Sequence, residues 1–355
     1  MLRRPDYPLN TQTFVPGLEF AAVRDLMLGD AARWDLPVQQ DDAQVLVVQL
    51  AYGLCSFRPQ PSGTLAALHA SRPEKLHVIR ERLLARLTEL VPEQIGALRW
   101  SGAGQSEQVT ADGPPPNFHF ATVQNVAVPA ANFLRVRANM SDLTGFSNDS
   151  IHFRLLLPPQ GIATPAWPVL AENGSTRWPQ GDKALHKPVY TIKHLDQSAG
   201  NFDFDVFIHE GGRVTEWAQN LKAGTRFALL GPLGGGVLES RKILLCGDET
   251  AFPAIARILG NLPENAQGQV LVLSDKVGDD AYRFETPPGV TLIRLFRGQD
   301  DLVQIALDEQ AKQSDHFFWF AGEKADVARV RAVYKARQGD PVTSYIQAYW
   351  ALGAA

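Results

Sequence analysis

At 231–236 the chain reads Gly231-Pro232-Leu233-Gly234-Gly235-Gly236, and its apolar residues follow different periods on the two sides of that stretch. Before it, short β-rich runs separated by turn residues recur at 118–128, 131–138, 151–157, 189–195, 202–208 and 225–230. Short strands at that spacing predict an antiparallel Greek-key barrel. After it, buried-type runs at 242–246, 270–274, 290–295, 317–321 and 342–347 alternate with helical patterns ending at 259 and spanning 300–313 and 324–338. Strands alternating with helices predict a parallel sheet. The chain therefore pairs a small barrel with a parallel sheet that follows it.

The first hundred residues carry a third pattern. A helix is expected over 18–34, strands over 44–51 and 54–58 with Gly53 as the turn, and a long helix from Pro73 to Pro92. In that helix Leu76, Ile79, Leu83, Leu87 and Leu90 recur at helical spacing. A short strand at 97–100 would complete a small α+β module at 1–105. Gly and Pro enrichment over 101–117 reads as a linker, placed at 106–117. The barrel is then expected at 118–238 and the α/β domain at 239–355. Residues 161–182 read as a long surface excursion of the barrel.

With 355 residues, 45% of them apolar, and a net charge of −4, this is a globular composition that does not recruit nucleic acid or an anionic membrane. Two cysteines, Cys55 and Cys246, are too few to ligate an iron–sulfur cluster, and both read as small buried hydrophobes. Neither a secretory signal nor a spanning run is visible, so a reducing, cytoplasmic setting is expected. No cluster at metal-ligand spacing stands out, and no catalytic acid–base pair.

Three stretches can carry chemistry. Lys187-Pro188-Val189-Tyr190-Thr191-Ile192-Lys193 sets a ring and a hydroxyl among cations, which suits a planar cofactor bearing phosphate. As plain sequence it equally describes a strand with a polar end. Gly211-Gly212-Arg213-Val214-Thr215-Glu216-Trp217-Ala218 offers backbone amides at a helix start. Gly247-Asp248-Glu249-Thr250-Ala251-Phe252-Pro253 stands where a doubly wound sheet binds ligands, at the carboxyl end of its first strand. Asp248 and Glu249 oppose an anion there, and by spacing alone they read as first-turn acids that stabilise the helix dipole.

Together Tyr190-Thr191, the 212–218 stretch and above all residues 247–259 resemble the siderophore-interacting proteins, FAD-dependent and NAD(P)H-linked reductases of ferric siderophores. The resemblance covers roughly 118–353. It implies a ferredoxin-reductase-like arrangement in which Tyr190 stacks on the isoalloxazine and Thr191 bonds its edge near N5. It further implies that Lys187, Lys193, His209, Gly212, Thr215, Trp217 and Ala218 hold the rest of FAD. Gly247, Asp248, Glu249, Thr250 and Ala251 form the nicotinamide-nucleotide turn, and Arg154 faces the anionic siderophore. Arg177 and Lys183 extend the cationic patch towards substrate. NADH, NADPH and a protein electron donor stay open as reductants.

Where the family has arginine two residues before the tyrosine this chain has Pro188, and its tail reads Ala348-Tyr349-Trp350-Ala351 in place of Gly-Tyr-Trp-Arg. Two rival functions are a flavin reductase for another acceptor and a non-catalytic siderophore-binding protein. The N-terminal module resembles a bacterial domain family of unassigned function, DUF2218.

Overall fold

The computed structural model describes residues 7–34, 36–50, 52–102, 110–162, 164–275 and 282–353. Ala51 and residues 106–109 of the expected linker lie outside the described residues. The chain forms two compact units, Met1–Phe118 with Leu157–His186, and His119–Leu156 with Lys187–Ala355.

The first unit begins with β1 (Leu9–Pro16), α1 (Phe20–Trp34), β2 (Val38–Asp41), β3 (Leu46–Leu50), β4 (Gly53–Gln60), β5 (Gly63–Ala70) and α2 (Pro73–Leu87). The strands form an antiparallel sheet in the order β1-β5-β4-β3-β2. Leu76, Ile79, Leu83 and Leu87 of α2 lie in one core cluster with Phe57 and Leu68 of the sheet, as the helical spacing requires. The strand expected at 97–100 does not form. A 3₁₀ turn occupies Pro92–Ala97, and one bridge joins Ser101 to Gln12. Side chains take the hydrogen bonds a ladder would use: Thr13 Oγ1 donates to the carbonyl of Arg99 at 2.9 Å.

The chain then enters β6 (Phe118–Ala130), β7 (Phe133–Asn139) and β8 (His152–Leu156), followed by a short hairpin, β9 (Val169–Leu170) with β10 (Thr176–Arg177). That hairpin belongs to the first unit. The indole of Trp100 donates to the carbonyl of Asn173 at 2.9 Å, and Asn173 Nδ2 donates to the carbonyl of Ile95 at 2.9 Å. Glu81 accepts from the Thr176 amide.

In the second unit β11 (Val189–Asp196), β12 (Asn201–Phe207), the helix α3 (Arg213–Gln219) and β13 (Arg226–Leu233) complete a closed barrel, in the order β11-β12-β7-β6-β13-β8. The remaining elements are β14 (Lys242–Asp248), α4 (Phe252–Leu259), β15 (Gln267–Ser274), β16 (Gly289–Phe296), α5 (Leu302–Lys312), β17 (Phe317–Glu323), α6 (Lys324–Ala336) and β18 (Ser344–Trp350). Their strands form a wholly parallel sheet in the order β16-β15-β14-β17-β18. Both faces are covered, which is why the strands read as continuous apolar runs. Ile243, Leu245 and Trp319 face α4 and the barrel residue Phe133, while Leu244, Cys246 and Phe320 face α5 and α6. The barrel followed by a parallel sheet stands as expected. Among the described residues no helix is long and apolar enough to cross a membrane.

Candidate functional site

β11 pairs with β8 in a register that sets Val189 opposite Arg154, Tyr190 opposite Phe153 and Thr191 opposite His152. Tyr190 is half-buried, and its ring packs near Phe153 and Phe204, at centroid distances of 6.3 and 5.9 Å. Its hydroxyl has no hydrogen-bond partner among the described residues, and burial raises its pKa. Thr191 is buried, with Oγ1 3.1 Å from His152 Nδ1, and His152 Nε2 lies 3.3 Å from the hydroxyl of Tyr349 on β18.

Cations gather on the same strands. Arg154, half-buried, donates through Nη1 to the carbonyl of Lys187 at 2.9 Å and has no carboxylate partner among the described residues. Burial lowers its pKa. The neighbouring strand thus delivers a guanidinium to the backbone beside Pro188. Lys193 is half-buried, its pKa lowered by burial and then by the charge of Arg135. Arg135 and Arg137 themselves are each engaged bidentately by a carboxylate of β12, Asp205 and Asp203.

Near α3, Gly212 stands close against two side chains. A Cβ there would stand 2.6 Å from His209 Cε1 and 2.9 Å from Thr215 Oγ1. Thr215 Oγ1 accepts from the His209 amide at 3.3 Å, Trp217 stacks on Phe204, and Ala218 is buried.

The turn after β14 sits at the switch point of the sheet, where β14 lies between β15 and β17 and the strand order reverses. Its two acids are consumed by the fold. Asp248 Oδ1 accepts from the amide of Thr250 at 3.0 Å and from its hydroxyl, and Oδ2 accepts from the Trp350 indole at 2.7 Å. Glu249 is ion-paired to Arg297 and accepts from the Asp275 amide. Both carboxylates are buried, and burial raises both pKa values. Gly247 has no room for a side chain: its Cβ would meet that of Ala251 at 2.5 Å and the carbonyl of Ala321 at 2.9 Å.

The connection between barrel and turn is Arg257, a residue with no assigned role in the sequence reading. From α4 it donates to the carbonyl of Ile192 on β11, to that of Ser147 at 3.0 Å and to Asn148 Oδ1 at 3.1 Å.

Two family descriptions match the second unit: "Siderophore-interacting FAD-binding domain" over residues 122–236 and "Siderophore-interacting protein" over 240–353. A ferric vibriobactin reductase of Vibrio cholerae is 31% identical over 220 residues, covering 58% of this chain and 78% of that protein. The chain belongs to the siderophore-interacting protein family. An NADPH-dependent ferric-chelate reductase of Escherichia coli is 27% identical over 241 residues, covering 66% of this chain and 92% of the relative. The siderophore-interacting fold is seen also in the crystal structure of SipS from Aeromonas hydrophila, with a TM-score of 0.56 and 22% identity over 67% of this chain and 93% of that one. A siderophore utilization protein from T. fusca gives 0.53 and 23% over 69% and 97%.

Within this siderophore-interacting protein, then, one unit brings together Arg154, Lys187, Tyr190, Thr191, Lys193, the 209–218 stretch and the 247–251 turn. Arg177 and Lys183 are carried by the other unit, and Arg177 is ion-paired there with Asp112. His152 and Tyr349, which meet at Thr191, lacked a signal in the sequence because their partnership spans residues 152 to 349.

Proposed function

We propose that this chain is an FAD-dependent reductase of ferric siderophores that uses NADPH or NADH and works in the cytoplasm. The observation that carries the reading is the pairing of β8 with β11. The two strands offer a tyrosine whose hydroxyl is free among the described residues, a threonine held by a buried histidine, and two half-buried cations, Arg154 and Lys193, without ion-pair partners there. That donor set fits a flat ring with an anionic tail. FAD, when bound, accepts a hydride from the nicotinamide and gives electrons singly to ferric iron, and ferrous iron is held weakly by hard oxygen donors.

The chain's own residues do positional and electrostatic work. Tyr190 packs against the isoalloxazine, and Thr191 presents its hydroxyl to the ring edge. Arg154, Lys187 and Lys193 neutralise phosphate, and the stretch from His209 through Gly212, Thr215 and Trp217 to Ala218 lies along the remainder of FAD. The hydrogen bonds of Asp248 to Thr250 and Trp350 and the ion pair of Glu249 with Arg297 support a nucleotide role for the Gly247–Ala251 turn, because both carboxylates are already engaged within the fold. Arg154 attracts the anionic iron complex. The NADPH dependence of the Escherichia coli relative supports NADPH as reductant, and the N-terminal module is a DUF2218-like domain.

Purified protein should carry flavin absorption bands, and with NADPH and a ferric siderophore it should yield Fe(II) captured by a ferrous chelator. A colourless preparation that releases no Fe(II) after reconstitution with FAD would defeat the proposal.

A further inference from the structure

The three-residue chain Tyr349–His152–Thr191 has a direction, and the direction determines what Thr191 can offer a ligand. His152 and Thr191 stand directly opposite each other on β8 and β11, 3.1 Å apart through Nδ1 and Oγ1, and Tyr349 approaches Nε2 from β18 at 3.3 Å. The ring is confined. Tyr349 meets it edge to face at 5.6 Å, and Gly234, at φ 74°, leaves it space where a Cβ would fall 2.4 Å from Cδ2. His152 is only 5% exposed. Burial, and then the charge of Arg257, lowers its pKa to about 4, so the ring is neutral and carries a single N–H. Burial, and then the charge of Tyr345 and a side-chain hydrogen bond with it, raise the pKa of Tyr349, which stays a phenol with one hydrogen to donate.

We propose that His152 and Tyr349 are positioning residues that fix Thr191 as a hydrogen-bond donor to the flavin: Tyr345 donates to the Tyr349 hydroxyl, Tyr349 donates to Nε2, Nδ1–H donates to Thr191 Oγ1, and the hydrogen of Thr191 is left to point outward. The opposite tautomer would draw that hydrogen into Nδ1 and leave Thr191 only lone pairs to present. An outward donor matches a ligand edge that carries an unprotonated ring nitrogen, as oxidised flavin does. The inference rests on the proposed flavin platform. The proton arrangement belongs to the protein and can be read without turnover.

In FAD-loaded protein labelled with ¹⁵N-histidine, long-range ¹H–¹⁵N correlation should find Nδ1 protonated and Nε2 bare, and Tyr349→Phe should bring in the Nε2–H form. His152→Asn, whose amide can occupy the place of Nδ1–H, should keep the absorption spectrum and midpoint potential of the bound flavin. His152→Gln, which reaches towards the Nε2 side, should shift both. A bare Nδ1 in the wild type overturns the inference, and so does a flavin indifferent to both His152 variants while Thr191→Ala shifts it. If Thr191→Ala also leaves the flavin spectrum and potential unchanged, the platform reading falls and takes this inference with it.

Discussion

Arg257 on α4 and Ile192 on β11 are joined by a hydrogen bond from guanidinium to backbone carbonyl, one residue beyond Thr191. The same guanidinium holds the carbonyl of Ser147 and the side chain of Asn148. It is 4% exposed, and burial lowers its pKa to about 10. A buried charge is tolerated here because a planar fork satisfies several acceptors together. Arg257→Gln removes the charge but orphans buried carbonyls at about 1–3 kcal/mol each, so a net loss of about 2–4 kcal/mol is expected. Arg257→Lys should not rescue it, since one ammonium cannot reproduce the fork. Urea unfolding of the three proteins decides this, and a lysine variant as stable as wild type would show that the charge alone matters.

Asp248 has its pKa raised by burial despite its bonds to Thr250 and Trp350. A carboxyl group whose folded pKa exceeds its ordinary 3.8 contributes stability below that value and loses it as pH rises through the folded pKa. Trp350→Phe removes the donor to Oδ2 and should cost about 1–3 kcal/mol when Asp248 is ionised. The deficit should shrink as pH falls through the folded pKa, which lies above 3.8, because the protonated group needs that donor less. A deficit that is constant from pH 3 to 7 would show that Trp350 contributes only packing.

Acid should act most strongly on the two units through His77 and His152, with a smaller contribution from His69 in the first. His77 in the first unit and His152 in the second are buried, and burial lowers both from 6.5 to about 4. Between those values the unfolded chain binds the proton and the folded chain does not, so stability falls as pH drops from 6.5 towards 4 and flattens below. At 1.36 kcal/mol per pH unit the loss is ~3 kcal/mol for each site. His77→Gln should remove most of the acid sensitivity of the first unit and leave that of the second, as followed by urea melts at several pH values with hydrogen exchange to separate the units.

The barrel and sheet were legible because their strands are uninterrupted runs with the right period: the expected 202–208 and 317–321 appear as Asn201–Phe207 and Phe317–Glu323. The N-terminal sheet was less so. Its outer strands Leu9–Pro16 and Val38–Asp41 are largely polar in sequence, and Gly63–Ala70 is rich in alanine, a weak strand former. At the site, local sequence displayed Tyr190, Thr191 and the Gly247 turn. It could not display that Asp248 is hydrogen-bonded by Trp350 and Glu249 ion-paired to Arg297, 102 and 48 residues away. Nor could it display that Arg154 reaches the Lys187 carbonyl, which depends on strand register. Pairing across the fold converts apparently hostile acids into structural ones.

Removing residues 1–105 should separate the fate of Leu157–His186 from that of the catalytic unit. Within the first unit that segment is held by Trp100 and Ile95 through Asn173, by Glu81 at the Thr176 amide, and by His77 Nε2 at 3.1 Å from Thr176 Oγ1. A chain of 106–355 lacks all four partners. The two core clusters of the parallel sheet use no residue before Ala130, so that sheet should fold. The expected outcome is rapid tryptic cleavage after Arg177 and Lys183 in the truncated protein and slow cleavage in the full chain, with sheet and barrel fragments surviving in both. Asn173→Ala in the full-length chain should give an intermediate rate, because it breaks the bond to Ile95 while leaving the others. Equal cleavage in full-length and truncated protein would show that the N-terminal module does not restrain the segment, and its role would then lie elsewhere.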